Sequence, residues 1–163
     1  MRFDVEQVVA VPPAQAVAVY GDPDFYRGRP RRTDIDVREV LEHDDTGPVV
    51  RIAVRFAFTG SLSSAVRRVV DPDKLTWVTR TDVYLDEART EWRVLPDHYP
   101  DRLTASGSYR FAEGTEQGST VVRVEGDLSV HVALVGGKVE RVIVSGLRSY
   151  IADEVASIPR YVA

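Results

Sequence analysis

Hydrophobic and polar residues alternate along most of this 163-residue chain, from residue 35 to residue 132. A period of two is typical of β-strands whose two faces meet different surroundings. The run over 50–58 is the most regular, and its hydrophobic residues all fall on one face: Val50, Ile52, Val54, Phe56 and Phe58. Arg51 and Arg55 fall on the other face. The pattern predicts an antiparallel sheet with one dry face and one solvated face.

Seven segments follow this pattern, and turn residues separate them. The predicted strands cover residues 3–11, 35–42, 50–58, 75–85, 89–95, 103–111 and 122–130. Consecutive antiparallel strands usually pair with each other, and a twisted sheet of seven strands curls. Residues 61–70 are predicted either as a short helix or as an irregular connection.

Two short helices are predicted after the first strand. Pro13 suits the first turn of a helix, because its missing N–H has no partner there in any case. The first helix is expected over 14–20, and Gly21 ends it. Asp22 is the expected N-cap of a second helix that begins at Pro23.

A long amphipathic helix is predicted over 138–161. Its apolar residues recur at offsets of three and four and form one broad stripe: Val135, Val139, Val142, Ile143, Gly146, Leu147, Tyr150, Ile151, Val155 and Ile158. No other segment is large enough to cover the dry face of the sheet. The chain is therefore predicted to form one α+β domain over 1–163, in which a curved seven-stranded antiparallel sheet wraps a long C-terminal helix.

The helix is narrower than the sheet that it must cover. A helix is about 10 Å wide, whereas a curled sheet of seven strands is several times wider. The uncovered volume is either filled by large side chains or left as a ligand cavity, and residue type leaves both alternatives open. The residues predicted to face this volume are Gln7, Phe56, Phe58, Trp77, Trp92, Tyr109, Phe111, Leu147, Tyr150 and Ile151.

Several polar residues are also predicted to face the dry side: Gln7, Glu39, Thr79, Thr81 and Thr90. Because an unpartnered buried polar group costs about 1–3 kcal/mol, these residues bond each other, water or a ligand. If the cavity is an active site, Glu39, Tyr109 and Tyr150 are the candidates for acid–base chemistry.

Two further features allow alternative interpretations. Gly146 lies on the apolar stripe, where glycine costs about 1 kcal/mol relative to alanine. It indicates either close approach of the helix to the sheet or room for a ligand. A basic cluster of Arg27, Arg29, Arg31 and Arg32 either holds an anion at a cavity mouth or forms a solvated loop balanced by nearby aspartates, and the second interpretation is favoured.

Composition excludes several classes of function. The chain has no cysteine, which rules out thiol nucleophiles, disulfides and cysteine zinc sites. The net charge of −4 disfavours nucleic acid as a partner. No apolar run is long enough to span a membrane and no secretory signal is evident, so a cytoplasmic protein without integral membrane association is expected. The sequence contains no familiar hydrolase, metalloprotease or dinucleotide motif, and we expect no cofactor and no metal.

Two segments resemble a known family. The run Val132–Ala133–Leu134–Val135–Gly136–Gly137–Lys138–Val139–Glu140 and the early run from Pro13–Ala14 to Asp22–Pro23–Asp24–Phe25 are similar to the actinobacterial DUF2505 family of unknown function. The order of elements resembles the START-like, or Bet v 1-like, helix-grip superfamily (SRPBCC). One departure is the polar and basic segment 61–70, where relatives would have a Leu-Pro step.

The resemblance implies a hydrophobic cavity between the sheet and the long helix. Superfamily members bind lipids, sterols, polyketides and plant hormones, and some are cyclases or hydrolases. DUF2505 implies no catalytic residues. The leading hypothesis is therefore a carrier or sensor of a hydrophobic small molecule, such as a lipid or polyketide. The alternatives are an enzyme of the polyketide cyclase/aromatase or hydrolase type, or a protein-interaction module with a filled core. In the last case, Val8, Val144 and Val162 are expected to form an apolar patch, which could support a homodimer.

Overall fold

The computed structural model describes residues 1–30 and 32–162. Its seven strands are β1 (Arg2–Val9), β2 (Ile35–Asp44), β3 (Val49–Phe58), β4 (Thr76–Tyr84), β5 (Arg89–Pro96), β6 (Leu103–Glu113) and β7 (Thr120–Val130). Its α-helices are α1 (Pro13–Val19), α2 (Pro23–Arg27), α3 (Ser64–Arg67) and α4 (Gly136–Ser157). All seven predicted strands are confirmed, and their ends differ by no more than two residues from the predicted ones. The segment 61–70 contains the short helix α3, which Ser63 caps.

The seven strands form one antiparallel sheet in the order β1-β7-β6-β5-β4-β3-β2. The strands from β2 to β7 pair in sequence order, and β1 adds to the far side of β7. The two short helices after β1 are confirmed, and the Asp22 side chain accepts a hydrogen bond from the backbone N–H of Asp24 at 2.9 Å. These helices carry the chain from one edge of the sheet to the other.

Helix α4 lies in the concave side of the sheet and packs against β1, β7 and β2. Contact with both edge strands buries a wider arc of the helix than the apolar stripe alone. Val144, which was predicted to point outward, is therefore buried with 4% of its surface exposed. That prediction is wrong, although Val8 is exposed as expected. Val144 is not available for an apolar patch on the surface.

The last predicted helical residues, Ile158–Tyr161, form a 3₁₀ turn.

A β-bulge changes the predicted direction of one side chain. The pairing of β2 with β3 shifts between Val37 and Glu39, and such a shift reverses the side chains that follow it. Glu39 consequently lies on the outer face, where its carboxylate is 3.6 Å from the Arg55 guanidinium. Its side chain is 62% exposed. The prediction that Glu39 faces the interior, and with it the proposed acid–base role, is wrong.

Close approach of the helix to the sheet accounts for Gly146. A Cβ atom at this position would lie 3.2 Å from Cε2 of the Phe58 ring and 3.7 Å from Cβ of Asp34. The space beside Gly146 is therefore occupied by the protein itself. Of the two interpretations of this glycine, the structure supports close packing.

Trp92 lies against a pair of glycines in the centre of the sheet. Gly107 on β6 is directly opposite Gly126 on β7, and Trp92 on β5 is directly opposite Gly107. A Cβ atom on Gly107 would be 2.4 Å from Cζ2 of the indole ring, and one on Gly126 would be 2.9 Å from the same atom. The missing side chains leave the space in which the indole ring lies.

Within the described residues, no helix is long and apolar enough to cross a membrane.

Candidate functional site

A cavity with a volume of about 60 Å³ lies between the concave face of the sheet and α4. Its wall is mostly apolar and aromatic and includes these predicted residues: Phe56, Trp77, Trp92, Tyr109, Leu147, Tyr150 and Ile151. One water molecule needs about 10–15 Å³, so the cavity can hold a few waters. Aromatic side chains fill most of the volume that the narrow helix leaves uncovered.

A second cavity of about 50 Å³ lies next to the first. Phe58 lines it, together with His98 and Tyr99 from the β5–β6 loop. Three side chains border both cavities: Trp77, Val94 and Leu147. We call these three residues the partition. Movement of the partition would join the two cavities into one longer chamber.

Two of the predicted lining residues border neither cavity. Phe111 is buried and packs against Tyr20, with ring centroids 5.3 Å apart. Gln7 is half-buried on the edge strand β1, and its Oε1 atom is buried without a hydrogen-bond partner among the described residues. Both face the interior as predicted, but the ring of Tyr20, which follows α1, occupies the space beside Phe111.

Aromatic contacts form the wall of the first cavity. Phe56 stacks on Trp77 with centroids 6.1 Å apart, and it meets Tyr150 edge-on at 5.5 Å. On the opposite side, the rings of Tyr20 and Tyr109 are 4.8 Å apart. Such pairs add stability beyond the area that they bury, so the wall is well defined. The flat walls favour a flat guest.

A buried ion pair lies at one end of this cavity. Nη1 of Arg29 is 2.8 Å from Oε2 of Glu154, and each side chain is only 4% exposed. The Tyr109 hydroxyl donates a hydrogen bond of 2.9 Å to Oε1 of the same carboxylate. The Arg29 guanidinium also lies over the rings of Tyr150, at 4.5 Å, and Phe25, at 5.2 Å.

This pair corrects the prediction for the basic cluster. Arg29 is not solvated, because the chain after α2 passes beneath the last turns of α4 and places the guanidinium beside Glu154. Arg27 and Arg32 are exposed as expected, and Arg31 lies outside the described residues. Glu154 was not among the site residues predicted from the sequence. The available signal was its position four residues after Tyr150 and three after Ile151, which places a charge on the apolar stripe.

Four tyrosines surround the carboxylate: Tyr20, Tyr26, Tyr109 and Tyr150. Burial raises the pKa of each hydroxyl well above its usual value of 10, and the negative charge of Glu154 raises the pKa further. All four are therefore neutral phenols at physiological pH. A neutral phenol can both donate and accept a hydrogen bond.

Not all of these hydroxyls are satisfied. The Tyr26 hydroxyl donates to the backbone carbonyl of Tyr20 at 3.0 Å. The hydroxyls of Tyr20 and Tyr150 are buried and have no hydrogen-bond partner in the described part of the chain. Tyr150 nevertheless interacts with Glu154, because both the carboxylate charge and a weaker hydrogen-bond interaction with it raise the pKa of Tyr150. Both hydroxyl oxygens can still accept a hydrogen bond from a guest.

The predicted inward threonines are also in the interior. Thr81 is buried and Thr79 is half-buried, and both line the first cavity. Thr90 is fully buried beside the cavity wall, and its hydroxyl has no partner among residues 1–30 and 32–162. The indole Nε1 of Trp92 is likewise buried without a hydrogen-bond partner among these residues. Polar groups are thus present along the wall as well as at its Glu154 end.

The three histidines are separate and exposed, and His98 lies at the second cavity. No group of three or more histidine or acidic side chains in the described ranges could hold a metal ion.

Comparison with known proteins identifies the fold and a sequence family. The model of DUF2505, described as a protein of unknown function, matches residues 4–162. No curated protein has a sequence that matches this chain. The solved structures that resemble it share the Bet v 1-like helix-grip fold.

Three of these solved structures show which kinds of protein share the fold. The Zhui aromatase/cyclase from a Streptomyces species has a TM-score of 0.67 at 16% identity, covering 98% of this chain and 94% of its own. Norcoclaurine synthase from Thalictrum flavum, in complex with dopamine and hydroxybenzaldehyde, has a TM-score of 0.63 at 15% identity, covering 99% and 87%. A Thermus thermophilus protein has a TM-score of 0.64 at 13% identity, covering 98% and 92%.

Proposed function

The chain belongs to the DUF2505 family, and from this premise we propose that it binds a small hydrophobic molecule, as a carrier or sensor, between the sheet and α4. One observation carries this proposal. An aromatic cavity in the interior contains buried hydroxyls that have no partner among the described residues. Ligand sites typically combine an apolar wall with a few polar groups that fix orientation.

The size of the cavity limits the guest. Pockets for drug-sized ligands measure about 300–1,000 Å³, far more than either cavity here. A single aromatic ring requires the least rearrangement. A polyketide or a lipid requires the partition to move. Leu147 has the most rotamer freedom of the three, because Val94 is β-branched and Trp77 is large and buried. The bound dopamine and hydroxybenzaldehyde of norcoclaurine synthase are also one-ring compounds.

The partition predicts how binding responds to substitution. Leu147→Ala should join the two cavities, so that naphthalene binds roughly tenfold more tightly than to the wild type. The same change should lower the free energy of unfolding by about 2–4 kcal/mol. Both tryptophans of the chain line the first cavity, so a titration of tryptophan fluorescence excited at 295 nm reports occupancy directly.

Leu41→Ala is the matched control, because Leu41 is 38% exposed on β2 and borders neither cavity. It should leave naphthalene binding unchanged. If naphthalene and p-xylene, an aromatic ring with two methyl groups, both leave the fluorescence of wild type and Leu147→Ala unaltered, the proposal of a ligand cavity is wrong.

A second candidate function is an enzyme of the cyclase type. The observation that favours it is the Tyr109 hydroxyl hydrogen-bonded to Glu154 at the cavity wall, because a phenol and a carboxylate together can transfer a proton to or from a bound molecule. The structural similarity to an aromatase/cyclase is compatible with this candidate.

Tyr109→Phe tests the candidate enzyme and keeps the Arg29–Glu154 pair intact. With a linear poly-β-ketone as substrate, we expect cyclisation to be about 100-fold slower than with the wild type. Product formation is measured by liquid chromatography, and p-xylene binding serves as the control for an intact cavity. Absence of cyclisation by the wild type, or equal rates for the two proteins, contradicts an acid–base role of Tyr109.

A further inference from the structure

The Glu154 end of the first cavity combines a buried ion pair with tyrosine hydroxyls. The hydroxyls of Tyr20 and Tyr150 are both buried there, and neither makes a hydrogen bond of normal geometry within the part of the chain that the structure describes, although Tyr150 interacts weakly with Glu154. The two residues are only 3% and 7% exposed. A buried polar group without a partner is costly, so an oxygen atom of a guest at this end would be favoured.

The neighbouring charges determine which kind of oxygen group fits. Arg29 and Glu154 compensate each other at 2.8 Å. Asp153 lies 3.9 Å from Nη2 of Arg29, in a small pocket that Arg32 and Arg160 also line. Because these charges already compensate one another, a carboxylate or phosphate on the guest would lose its hydration without gaining a free partner, which disfavours it. A cation is disfavoured as well, because the Arg29 guanidinium already lies 4.5 Å from the centre of the Tyr150 ring.

A neutral hydroxyl satisfies these conditions. It can donate to one tyrosine oxygen and accept from another, as two neutral phenols require. The rest of the guest meets the flat wall of Phe56 and Trp77, whose rings stack with an interplanar angle of 18°. We infer that the cavity recognises a neutral hydroxylated aromatic molecule of the phenol class, whose hydroxyl group hydrogen-bonds to the Tyr20 and Tyr150 hydroxyls. This inference rests on the proposed function, since it names the ligand class of the same cavity.

Two probes that differ in one group test the inference. p-Cresol and p-xylene have nearly the same shape, but a hydroxyl in the first replaces a methyl group in the second. We would measure the affinity of both for the wild type and for the double variant Tyr20→Phe/Tyr150→Phe by tryptophan fluorescence excited at 295 nm. The ratio of the two affinities, compared between the proteins, cancels the different solubilities of the probes in water.

In the double variant, the preference for p-cresol over p-xylene should fall roughly fivefold for each hydrogen bond lost. The double variant should be about as thermostable as the wild type without ligand, because neither hydroxyl makes a hydrogen bond of normal geometry in the described part of the chain. Tyr84→Phe is the control. Tyr84 lies on β4 under the Arg89 guanidinium, outside the cavity, so this variant should keep the wild-type ratio.

The outcomes separate this inference from the proposed function. If both probes bind the wild type and the affinity ratio is the same in the double variant, the cavity binds ligands but the tyrosine hydroxyls do not select a hydroxyl, and the inference is overturned. If neither probe binds the wild type, the proposed function fails and the inference fails with it. A loss of preference confined to the double variant supports both.

Discussion

Replacing Arg29 with methionine should lower the free energy of unfolding by about 3–5 kcal/mol, measured by urea denaturation. The reason is the environment of Glu154, whose side chain is only 4% exposed. Methionine preserves much of the volume of arginine but removes the charge that compensates the carboxylate. The Tyr109 hydroxyl still donates one hydrogen bond, but a single neutral donor cannot replace a buried guanidinium.

Two further variants show whether the buried charge causes the loss. Arg29→Met combined with Glu154→Gln should recover most of the stability, because the buried site then contains no charge. Arg27→Met is the matched control. The Arg27 side chain is 61% exposed, and the ion pair that it forms with Asp24 at 3.5 Å is exposed to solvent. It should change the free energy of unfolding by no more than about 0.5 kcal/mol. Equal losses in Arg29→Met and the Arg29→Met/Glu154→Gln variant would show that packing, not charge, accounts for the effect of Arg29.

The fold could be predicted from the sequence because its signals are local. Alternation with a period of two fixes which side chains of a strand face the core, and turn residues mark where each strand ends. The apolar stripe of α4 likewise depends only on spacing along the helix. The predicted direction of a side chain was wrong where a bulge or a tertiary contact overrides the local hydrophobic pattern. The bulge after Val37 turned Glu39 outward, and contact with two edge strands buried Val144.

The candidate site could be predicted only in part. The inward faces of the strands placed Phe56, Trp77 and Tyr109 on the cavity wall, because each lies on a regular strand. The Arg29–Glu154 pair joins residues 125 positions apart, and no local pattern connects them. The pair exists because the chain passes beneath α4 after α2, which is a property of the tertiary fold.

The sequence also could not predict whether side chains fill the interior or leave a cavity. The predicted difference in width between sheet and helix is real, but aromatic rings occupy most of the space that it creates. The outcome depends on the packing of a few side chains, above all Trp77 and Leu147, which divide the remaining volume in two. A change of one side-chain rotamer there alters the size of the cavity, whereas the sequence pattern stays the same.

The position of Trp92 on the cavity wall depends on the two glycines beneath it. A Cβ atom on Gly107 would lie 2.1 Å from the backbone carbonyl oxygen of Glu125 and 2.4 Å from Cζ2 of Trp92. The first of these atoms belongs to the backbone of the neighbouring strand β7 and cannot rotate away. An alanine at this position therefore has to separate β6 from β7, in addition to displacing the indole ring.

Gly107→Ala should consequently lower the free energy of unfolding by about 3 kcal/mol, at the upper end of the usual cost of an overpacked core. Chemical denaturation measures the loss, and the tryptophan emission maximum should shift because the ring of Trp92 moves. Gly47→Ala is the control, since a Cβ atom in that exposed turn has no neighbour within 4 Å. Its effect should stay within about 0.5 kcal/mol. If Gly107→Ala is equally mild, the sheet has room beneath Trp92, and the glycine pair does not determine where the indole ring lies.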